Sequence, residues 1–464
     1  MANKGMNARE LVVDMLLTIS EGKEYSHVLI RNVLDKYDYL EGREKAFIKQ
    51  VTEGCLERRL ELDYYLDAFS KIPAAKMKPF IRELLRMSAY QILFLSRVPD
   101  RAVIDEAVKL ARKRGFSGLT GFVNGVLRSL SREGKAYPLP DESEDPVRAF
   151  SIRYSMPTWI VEYFFEEYGT ERAGKILQGL LEVRPVTIRF RQDLSKEERE
   201  ALLKQMEAAG VAIRQHPYLP LAYELRGLES VTALPGFAEG KLTVQDVSSM
   251  LAVEAAGIKP GDKILDICAA PGGKTAYAAM LAGEGGMVEA RDLNAYKTAR
   301  IEETCERLGL SNVTVRIWDA LEEDPAWKGQ ADVVLADVPC LGLGVIGRKR
   351  DIKYRVQRKD LESIVELQKK IVTVAVEYVK PQGTLLYSTC SMTREENQEM
   401  VSFMEEELGL KAESLEEVLP ECFIQSLLDT SERESLSRGW LQLLPGIHET
   451  DGFFFARMKC EGNH

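Results

Sequence analysis

The sequence predicts a multidomain protein with an all-helical first domain, a small α+β module and a C-terminal doubly wound α/β domain. The chain has 464 residues, too many for one hydrophobic core, which indicates two or three domains of roughly 100–200 residues. Apolar residues recur at three- and four-residue spacing over residues 7–130, as in amphipathic helices. From residue 241 onward, short apolar runs alternate with helical stretches, which predicts βαβ units and a mostly parallel sheet.

A linker separates the first domain from the rest of the chain. The segment YPLPDESEDP, residues 137–146, is rich in proline and acidic residues and lacks an apolar period, so it is read as a connection rather than an element. We therefore predict a helical domain over 1–136 and a small α+β module over 147–240, in which VTIRF and two later runs are strands. The α/β domain is predicted over 241–464.

Composition excludes several classes of protein. Hydrophobic residues make up 45% and charged residues 29% of the chain, which is typical of a globular protein and excludes disorder over most of its length. Asp14 interrupts the N-terminal apolar stretch, so neither a secretory signal nor a membrane span is predicted there. The seven cysteines form no CxxC pair, so we expect reduced thiols in a cytoplasmic protein.

No metal site is predicted. The chain has four histidines, and they share no metal-ligand spacing with one another or with the cysteines, which disfavours a zinc site of the deaminase type. They are interpreted as core or surface residues: His27, His216, His448 and His464.

The charge is distributed unevenly along the chain. The net charge is −10, and residues 401–440 hold ten acidic against three basic residues. Two windows are basic: 101–135 has eight basic against three acidic residues, and 348–360 has seven against two. A basic run is most often a solvated face. Because 348–360 follows the predicted chemistry closely in sequence, we interpret it as a segment that neutralises nucleic-acid phosphates.

The segment KILDICAAPGGKT, residues 263–275, predicts a ligand loop. It is a buried strand followed by small residues and a helix, and ligands bind beyond the carboxyl ends of strands in such sheets. A phosphate-binding P-loop would need glycine at position 268, which is Cys268. A GxGxxG match at Gly342, Gly344 and Gly347 is followed by RKRD, where a dinucleotide site requires a helix with an apolar face, so it is set aside.

Acidic residues end the neighbouring strands and favour a nucleoside-containing cofactor. Asp292 ends the second strand, 24 residues after Cys268, where an acid can accept hydrogen bonds from a ribose. Asp319 follows the third strand and Asp337 ends the fourth. Each could be an ordinary loop acid, but together they converge on one sheet edge.

Two thiols are predicted at the same edge. Cys340 follows the strand DVVLAD and Cys390 follows TLLYST. A free cysteine is usually a small buried hydrophobe, but methylation of a pyrimidine at C5 requires a thiolate that adds to C6 and makes C5 nucleophilic. A carboxyl group at the ring's N3 edge would stabilise the adduct, a role that suits Asp337. Cys340 can contribute to removing the C5 proton and expelling the thiol.

These motifs resemble a known family. The segments KLTVQDVSS, CAAPGGKT, DVPC, YSTCS and DGFFFARMK resemble the RNA 5-methylcytosine methyltransferases of the Sun/Nop2 (NSUN-like) group over roughly the last 225 residues. The segments NARELVVDMLL, DYYLDAF and FVNGVLR of residues 1–135 resemble the NusB-type helical RNA-binding domain. The pairing is typical of bacterial enzymes that methylate a cytosine of 16S ribosomal RNA.

The resemblance implies a Rossmann-like class I fold, S-adenosylmethionine as cofactor and 16S ribosomal RNA as partner. It implies that Cys390 is the nucleophile and that Cys340 assists product release. The implied cofactor contacts are Cys268, Ala269, Ala270, Pro271, Gly272, Gly273 and Lys274 in the loop, Asp292 at the ribose, Asp319 near the adenine, and Asp337. The chain departs from the family's usual DAPCSGTG at Leu341 and Leu343, in the loop beside the base.

Two other functions stay open at this stage. The chain could methylate a cytosine of transfer RNA, since nothing in the physical argument separates the two RNA substrates. It could also be a non-catalytic RNA-binding or assembly factor with a vestigial α/β domain, although every position needed for the chemistry is filled. Nothing in the sequence requires more than a monomer, so a monomer is expected.

Overall fold

The computed structural model describes residues 7–461, apart from residues 38, 229 and 428; His464 lies outside this range. The chain forms two compact units, Met1–Glu182 with Ile346–Arg358, and Val183–Val345 with Lys359–His464. This division is coarser than the three predicted domains, whose boundaries stay predictions.

The first unit is helical, as predicted for residues 7–130. Asn7 begins the first helix, because its side chain accepts hydrogen bonds from the backbone N–H groups of Arg9 and Glu10. The helices between residues 8 and 133 pack their apolar faces into one core. No helix in the described ranges is both long and apolar enough to cross a membrane. The helices are α1 Ala8–Ser20, α2 Ser26–Lys36, α3 Gly42–Glu57, α4 Arg59–Phe69, α5 Pro79–Phe94, α6 Asp100–Lys113, α7 Thr120–Glu133, α8 Pro146–Arg153 and α9 Thr158–Leu181.

The segment 346–358, which contains most of the basic run, belongs to this helical unit. The Arg350 guanidinium lies 2.7 Å from the Glu57 carboxylate. Lys353 is buried and donates to the Glu57 carbonyl oxygen at 2.9 Å, while Arg355 pairs with Asp351 at 2.7 Å. The prediction that the run meets RNA phosphates is therefore corrected for these three side chains, because they bind groups of the unit itself.

The second unit begins with a four-stranded antiparallel sheet in the order β2-β3-β1-β4. The helix α10 starts with a capping box, in which Ser195 and Glu198 satisfy each other's backbone N–H groups. This matches the strands and the charged helix predicted for the module. The elements are β1 Val186–Phe190, α10 Lys196–Ala208, β2 Ala212–Gln215, β3 Ala222–Arg226 and β4 Leu242–Val244.

An eight-stranded sheet forms the rest of the unit, with the order β10-β12-β9-β8-β5-β6-β7 and β11 paired to β12. Five neighbouring strands, β9 to β7 in that order, are parallel, which confirms the doubly wound α/β prediction. The elements are α11 Val247–Ala255, β5 Lys263–Asp266, α12 Gly273–Ala282, β6 Met287–Asp292, α13 Ala295–Arg307, β7 Val313–Ile317, β8 Ala331–Asp337, α14 Asp360–Val376, β9 Val379–Thr389, α15 Gln398–Glu406, β10 Leu410–Ala412, α16 Glu421–Ser426, α17 Thr430–Ser437, β11 Trp440–Leu443 and β12 Phe453–Cys460.

Charged residues inside β6 are compensated by neighbours. Glu289 and Arg291 point to the same face, since they are two residues apart in a strand. The buried Arg291 guanidinium lies 2.6 Å from both the Glu289 and Asp324 carboxylates and 4.9 Å from the centroid of the Trp318 ring. This ion-pair cluster allows a strand with two charged residues to occupy the interior of the sheet.

Candidate active site

The two predicted thiols meet at the carboxyl edge of the large sheet. β8 and β9 are parallel neighbours with Asp337 opposite Ser388, so the loops that follow them leave the sheet side by side. The Sγ atoms of Cys340 and Cys390 are 3.1 Å apart, and both residues are partly exposed. The hydrogen bond to Cys390 and burial together hold the pKa of the Cys340 thiol well above its ordinary value. The two thiols therefore form one hydrogen-bonded pair.

Asp337 is bound on both of its carboxylate oxygens. Lys274 Nζ lies 2.7 Å from Oδ2, and the Ser388 hydroxyl donates to Oδ1 at 2.8 Å. Burial alone would lower the pKa of Lys274, but the adjacent Asp337 carboxylate raises it, and Cys390 contributes in the same direction. Lys274, in the predicted ligand loop, thus places a positive charge beside the Asp337 carboxylate and near Cys390.

A buried carboxylate that the sequence did not single out ties the two cysteine loops together. Glu396 is fully buried. Its Oε1 accepts from the backbone N–H of Leu341 at 2.9 Å and from Gln368 Nε2 at 3.0 Å. Its Oε2 accepts from the hydroxyls of Ser391 and Thr393. One carboxylate therefore binds the residue after Cys340 and the residue after Cys390.

Sequence reasoning missed Glu396 because its neighbours hide it. It stands in the polar run TREEN, where an apolar period cannot distinguish a buried acid from the exposed ones beside it. Ser391 and Thr393, which lie between Cys390 and Glu396, were the available signal. Buried hydroxyl groups need a hydrogen-bond acceptor, and a nearby carboxylate can supply one.

Gly344, one of the three glycines of the GxGxxG match, connects the loop after β8 to two other segments by backbone hydrogen bonds. Gly344 donates its backbone N–H to the Cys390 carbonyl oxygen at 2.9 Å, and its own carbonyl accepts from Gly452 at 2.9 Å. A Cβ at Gly344 would lie 2.0 Å from the Gly452 oxygen, so a side chain is excluded. Leu341 and Leu343, the departures from the family's motif, are both buried, which accounts for apolar residues there.

The predicted ligand loop closes between β5 and α12. Ala270 donates its backbone N–H to Asp292 Oδ2 at 3.0 Å, and Lys297 Nζ lies 2.9 Å from Asp292 Oδ1. Gly272 has a φ of 101°, and a Cβ there would lie 3.1 Å from the Ile301 Cα. Only glycine permits this close approach of the loop to α13.

Two further predicted residues flank this loop. Asp319 follows β7, and its Oδ1 accepts from the Leu321 N–H at 3.0 Å; the preceding Trp318 donates its backbone N–H to the Asp292 carbonyl at 3.0 Å. Cys268 is partly exposed, and burial raises the pKa of its thiol. The backbone hydrogen bond from Trp318 thus places the Asp319 loop next to Asp292. The ion pair between Lys274 and Asp337 links the ligand loop to the strand end that precedes Cys340.

Asp266, at the end of β5, is a buried acid beneath the loop. Its Oδ2 accepts from the Thr275 hydroxyl at 2.7 Å. Burial raises the pKa of this carboxyl group to about 7. It connects β5 to the first turn of α12.

One group of three possible metal ligands occurs among the described residues: His216, Glu224 and Glu449. Arg214 already donates to both carboxylates. His216 Nε2 lies 3.0 Å from the Glu449 carbonyl oxygen, and Nδ1 accepts from the Tyr218 N–H. Burial also lowers the pKa of His216, so the group is a hydrogen-bonded ion-pair network in which a guanidinium supplies the positive charge.

Comparison with known proteins identifies the family. A family model described as 16S rRNA methyltransferase RsmB/F matches residues 255–459, and the NusB family model matches residues 6–132. A protein of Bacillus subtilis (strain 168) described as a probable ribosomal RNA small subunit methyltransferase B is 37% identical, over 99% of this chain and 100% of that protein. The chain belongs to the RsmB/F methyltransferase family.

Other relatives agree with the RsmB/F assignment. The ribosomal RNA small subunit methyltransferase B of Salmonella typhi is 31% identical over 98% of this chain and 99% of that protein. The crystal structure of PH0851 has the same fold, with a TM-score of 0.78 at 22% identity over 98% of this chain and 99% of that one. NSun6 from Pyrococcus horikoshii, solved with SFG, has a TM-score of 0.57 at 24% identity over 66% of this chain and 99% of that one.

Proposed function

We propose that this RsmB/F family member methylates C5 of a cytosine in 16S ribosomal RNA in the cytoplasm, with S-adenosylmethionine as the methyl donor. The observation that carries the proposal is the 3.1 Å separation of the Cys340 and Cys390 sulfur atoms, on a sheet edge shared with Asp337. Family membership supports ribosomal RNA as the substrate. The choice of C5 rests on the chemistry that a pair of thiols makes possible.

In the proposed reaction, Cys390 is the nucleophile. Its thiolate sulfur forms a bond to C6 of the cytosine, and the electron pair of the C5–C6 double bond makes C5 nucleophilic. After C5 has received the methyl group, which leaves S-adenosylhomocysteine as the neutral by-product, a water molecule accepts the C5 proton. The C5–H electron pair re-forms the C5–C6 double bond, and the C6–S bond breaks with its electrons returning to the Cys390 sulfur. Cys340, whose sulfur lies 3.1 Å from the Cys390 sulfur, assists this last step.

Asp337 is proposed to orient the base. Lys274 and Ser388 each donate to one of its oxygens, which fixes the carboxylate in one rotamer and leaves further lone pairs to accept a hydrogen bond. The 4-amino group at the N3 edge of cytosine is a donor of the required kind. Lys274 also stabilises negative charge near Cys390, as the interaction with that thiol indicates.

The residues around the ligand loop fit S-adenosylmethionine, which supplies an electrophilic methyl group when bound. The Asp292 and Asp319 carboxylates are acceptors suited to ribose hydroxyls and an adenine amine. Gly272 turns the loop where a Cβ would lie 3.1 Å from Ile301, and among the described residues no side chain caps the start of α12. Residues 268–274 would hold the amino-acid part of the cofactor against that uncapped helix start.

The test is methyl transfer to RNA from cells that lack this enzyme. The protein is incubated with tritiated S-adenosylmethionine and total RNA, and the labelled nucleoside and RNA species are identified. Label in 5-methylcytidine of 16S RNA is the expected result. Label in transfer RNA would keep the chemistry and overturn the substrate, and absence of label from all RNA would favour an RNA-binding factor without activity.

A further inference from the structure

A cavity of about 330 Å³ lies within the first compact unit. It is formed by α1, α3, α4, α5 and the segment 346–358. Leu16, Ile19 and Leu56 give it an apolar side. Arg59, Arg86 and Arg355 bring three guanidinium groups to the same space. A volume of this size is within the range of small-ligand sites.

Two of the three arginines are neutralised by carboxylates of the unit. Arg86 lies 2.6 Å from Asp63 and 2.7 Å from Glu83. Arg355 lies 2.7 Å from Asp351, which in turn accepts from the backbone N–H of Ser26. The positive charges of these two arginines, and the negative charges of Glu83 and Asp351 that line the cavity, are therefore already compensated.

Arg59 is the exception. Within the part of the chain that the structure describes, no carboxylate oxygen lies within 4.0 Å of its guanidinium and no group accepts a hydrogen bond from it. It lies 4.8 Å from the centroid of the Tyr354 ring, half-buried, and burial lowers its pKa. Asp63 and Glu83, which pair directly with Arg86, act on Arg59 only at longer range. The cavity therefore presents a partly buried guanidinium without a contact ion pair, which an anion could complete.

We propose that this cavity binds one nucleotide of single-stranded RNA, with a phosphate on Arg59 and the base against the apolar side. A guanidinium can bind two phosphate oxygens at once. Extruded bases of RNA are recognised by apolar and aromatic side chains, which Leu16, Ile19 and Tyr354 supply. The assignment rests on the proposed function only in that RNA is the macromolecular partner; it gives the helical unit a nucleotide site of its own.

The experiment measures RNA binding and contact without the methyl donor, so its outcome does not depend on methyl transfer. The full-length protein is titrated with a fluorescent ten-nucleotide single-stranded RNA that contains 4-thiouridine, and photo-crosslinked peptides are mapped. Arg59→Met removes the charge and keeps the length of the side chain. Ser20→Phe fills the cavity from its half-buried rim. Arg112→Met, on the exposed face of α6, controls for the loss of one positive charge.

We expect Arg59→Met and Ser20→Phe to weaken RNA binding about tenfold, the effect of losing a charge-assisted contact, and to remove crosslinks to 346–358 and α1. Arg112→Met should keep both the RNA affinity and the crosslinks of the wild type. If all three variants bind RNA with the affinity of the wild type and give the same crosslinks, the proposal that this cavity binds RNA is wrong. A free nucleoside monophosphate that binds with the same dependence on Arg59, while RNA binding is unaffected, would overturn RNA as the occupant.

Discussion

The Sγ atoms of Cys340 and Cys390 lie 3.1 Å apart although fifty positions separate the residues in the chain. They meet because β8 and β9 are adjacent and parallel, so their carboxyl ends share one edge of the sheet. The Glu396 carboxylate binds the residue that follows each cysteine. The thiols therefore form one fixed pair, and a change to either thiol, or to the carboxylate that holds them, should alter a different step of the proposed reaction.

Replacing Cys390 with alanine is expected to abolish methyl transfer. The bond to C6 cannot form without this sulfur, so turnover should fall by at least about 10³-fold, as for other covalent nucleophiles. Binding of S-adenosylmethionine, measured by calorimetry, should be unchanged because the cofactor loop is intact. Cys422→Ala, which removes an exposed thiol, is the matched control. Full activity of the Cys390 variant would refute its assignment as nucleophile.

Replacing Cys340 with alanine should trap the protein on its RNA. Formation of the C6–S bond would proceed, but its breakage would be slowed because the assisting thiol is absent. A band of protein covalently bound to RNA should appear on a denaturing gel and disappear when Cys390 is also replaced. Normal turnover without any such band would remove Cys340 from the release step.

Glu396→Gln is expected to separate the two cysteine loops. A glutamine cannot accept from Leu341, Gln368, Ser391 and Thr393 as the carboxylate does, and each lost bond to a charged acceptor is worth roughly 1.5–3 kcal/mol. Turnover should fall about 10²-fold through misplacement of the thiols. The specific readout is mild oxidation, in which a disulfide between Cys340 and Cys390 should form more slowly than in the wild type.

The control for this variant is Glu399→Gln, which changes an exposed acid in the first turn of α15, the helix that begins two residues after Glu396. It should leave both turnover and disulfide formation unchanged. If Glu396→Gln lowers thermal stability but oxidises as fast as the wild type, the carboxylate stabilises the fold without positioning the thiols.

Lys353→Met is expected to stabilise the protein at neutral pH. Burial lowers the pKa of Lys353 from 10.5 to about 7, so at pH 7–10 the unfolded chain binds more protons than the folded one and stability rises with pH. At pH 7 nearly the full free-energy cost of burying the charged Lys353 is present. Methionine removes that cost, and in a unit of this size each 1 kcal/mol raises Tm by roughly 2–4 °C.

The measurement for this prediction is thermal unfolding at pH 7 and pH 9. The Tm of the wild type should rise more between the two values than the Tm of Lys353→Met. Lys349→Met changes an exposed neighbour in the same segment and should behave as the wild type. A variant less stable than the wild type at both pH values would mean that the hydrogen bond to Glu57 outweighs the cost of burial.

The local pattern of apolar and polar residues was sufficient to predict most of the helices and strands of this protein. The strand runs KILD, MVEARD and DVVLAD are β5, β6 and β8, because burial in a sheet requires continuous apolar or compensated residues over a short length. The strand-end residues Asp292, Asp337, Cys340 and Cys390 could be placed at one edge for a related reason, since parallel strands direct their carboxyl ends to the same side.

Other residues acquire their roles from partners that are distant in the chain. Nothing near Lys353 in sequence indicates that it is buried against Glu57, 296 positions away. Arg350 and Arg355 likewise read as part of a solvated basic run until their carboxylate partners are known. Charge counts along the sequence therefore overestimated how much of 348–360 is available to RNA.

The sequence by itself determined the fold class and the family and placed two thiols at neighbouring strand ends, because strand periodicity, small-residue loops and cysteines after strands are local properties. Only the tertiary structure decided that Glu396 joins the two thiol loops and that, among the described residues, Asp63 pairs directly with Arg86 and not with Arg59. The physical reason is that burial and charge compensation depend on which groups fold into contact, and a side chain's immediate neighbours in sequence do not specify those contacts.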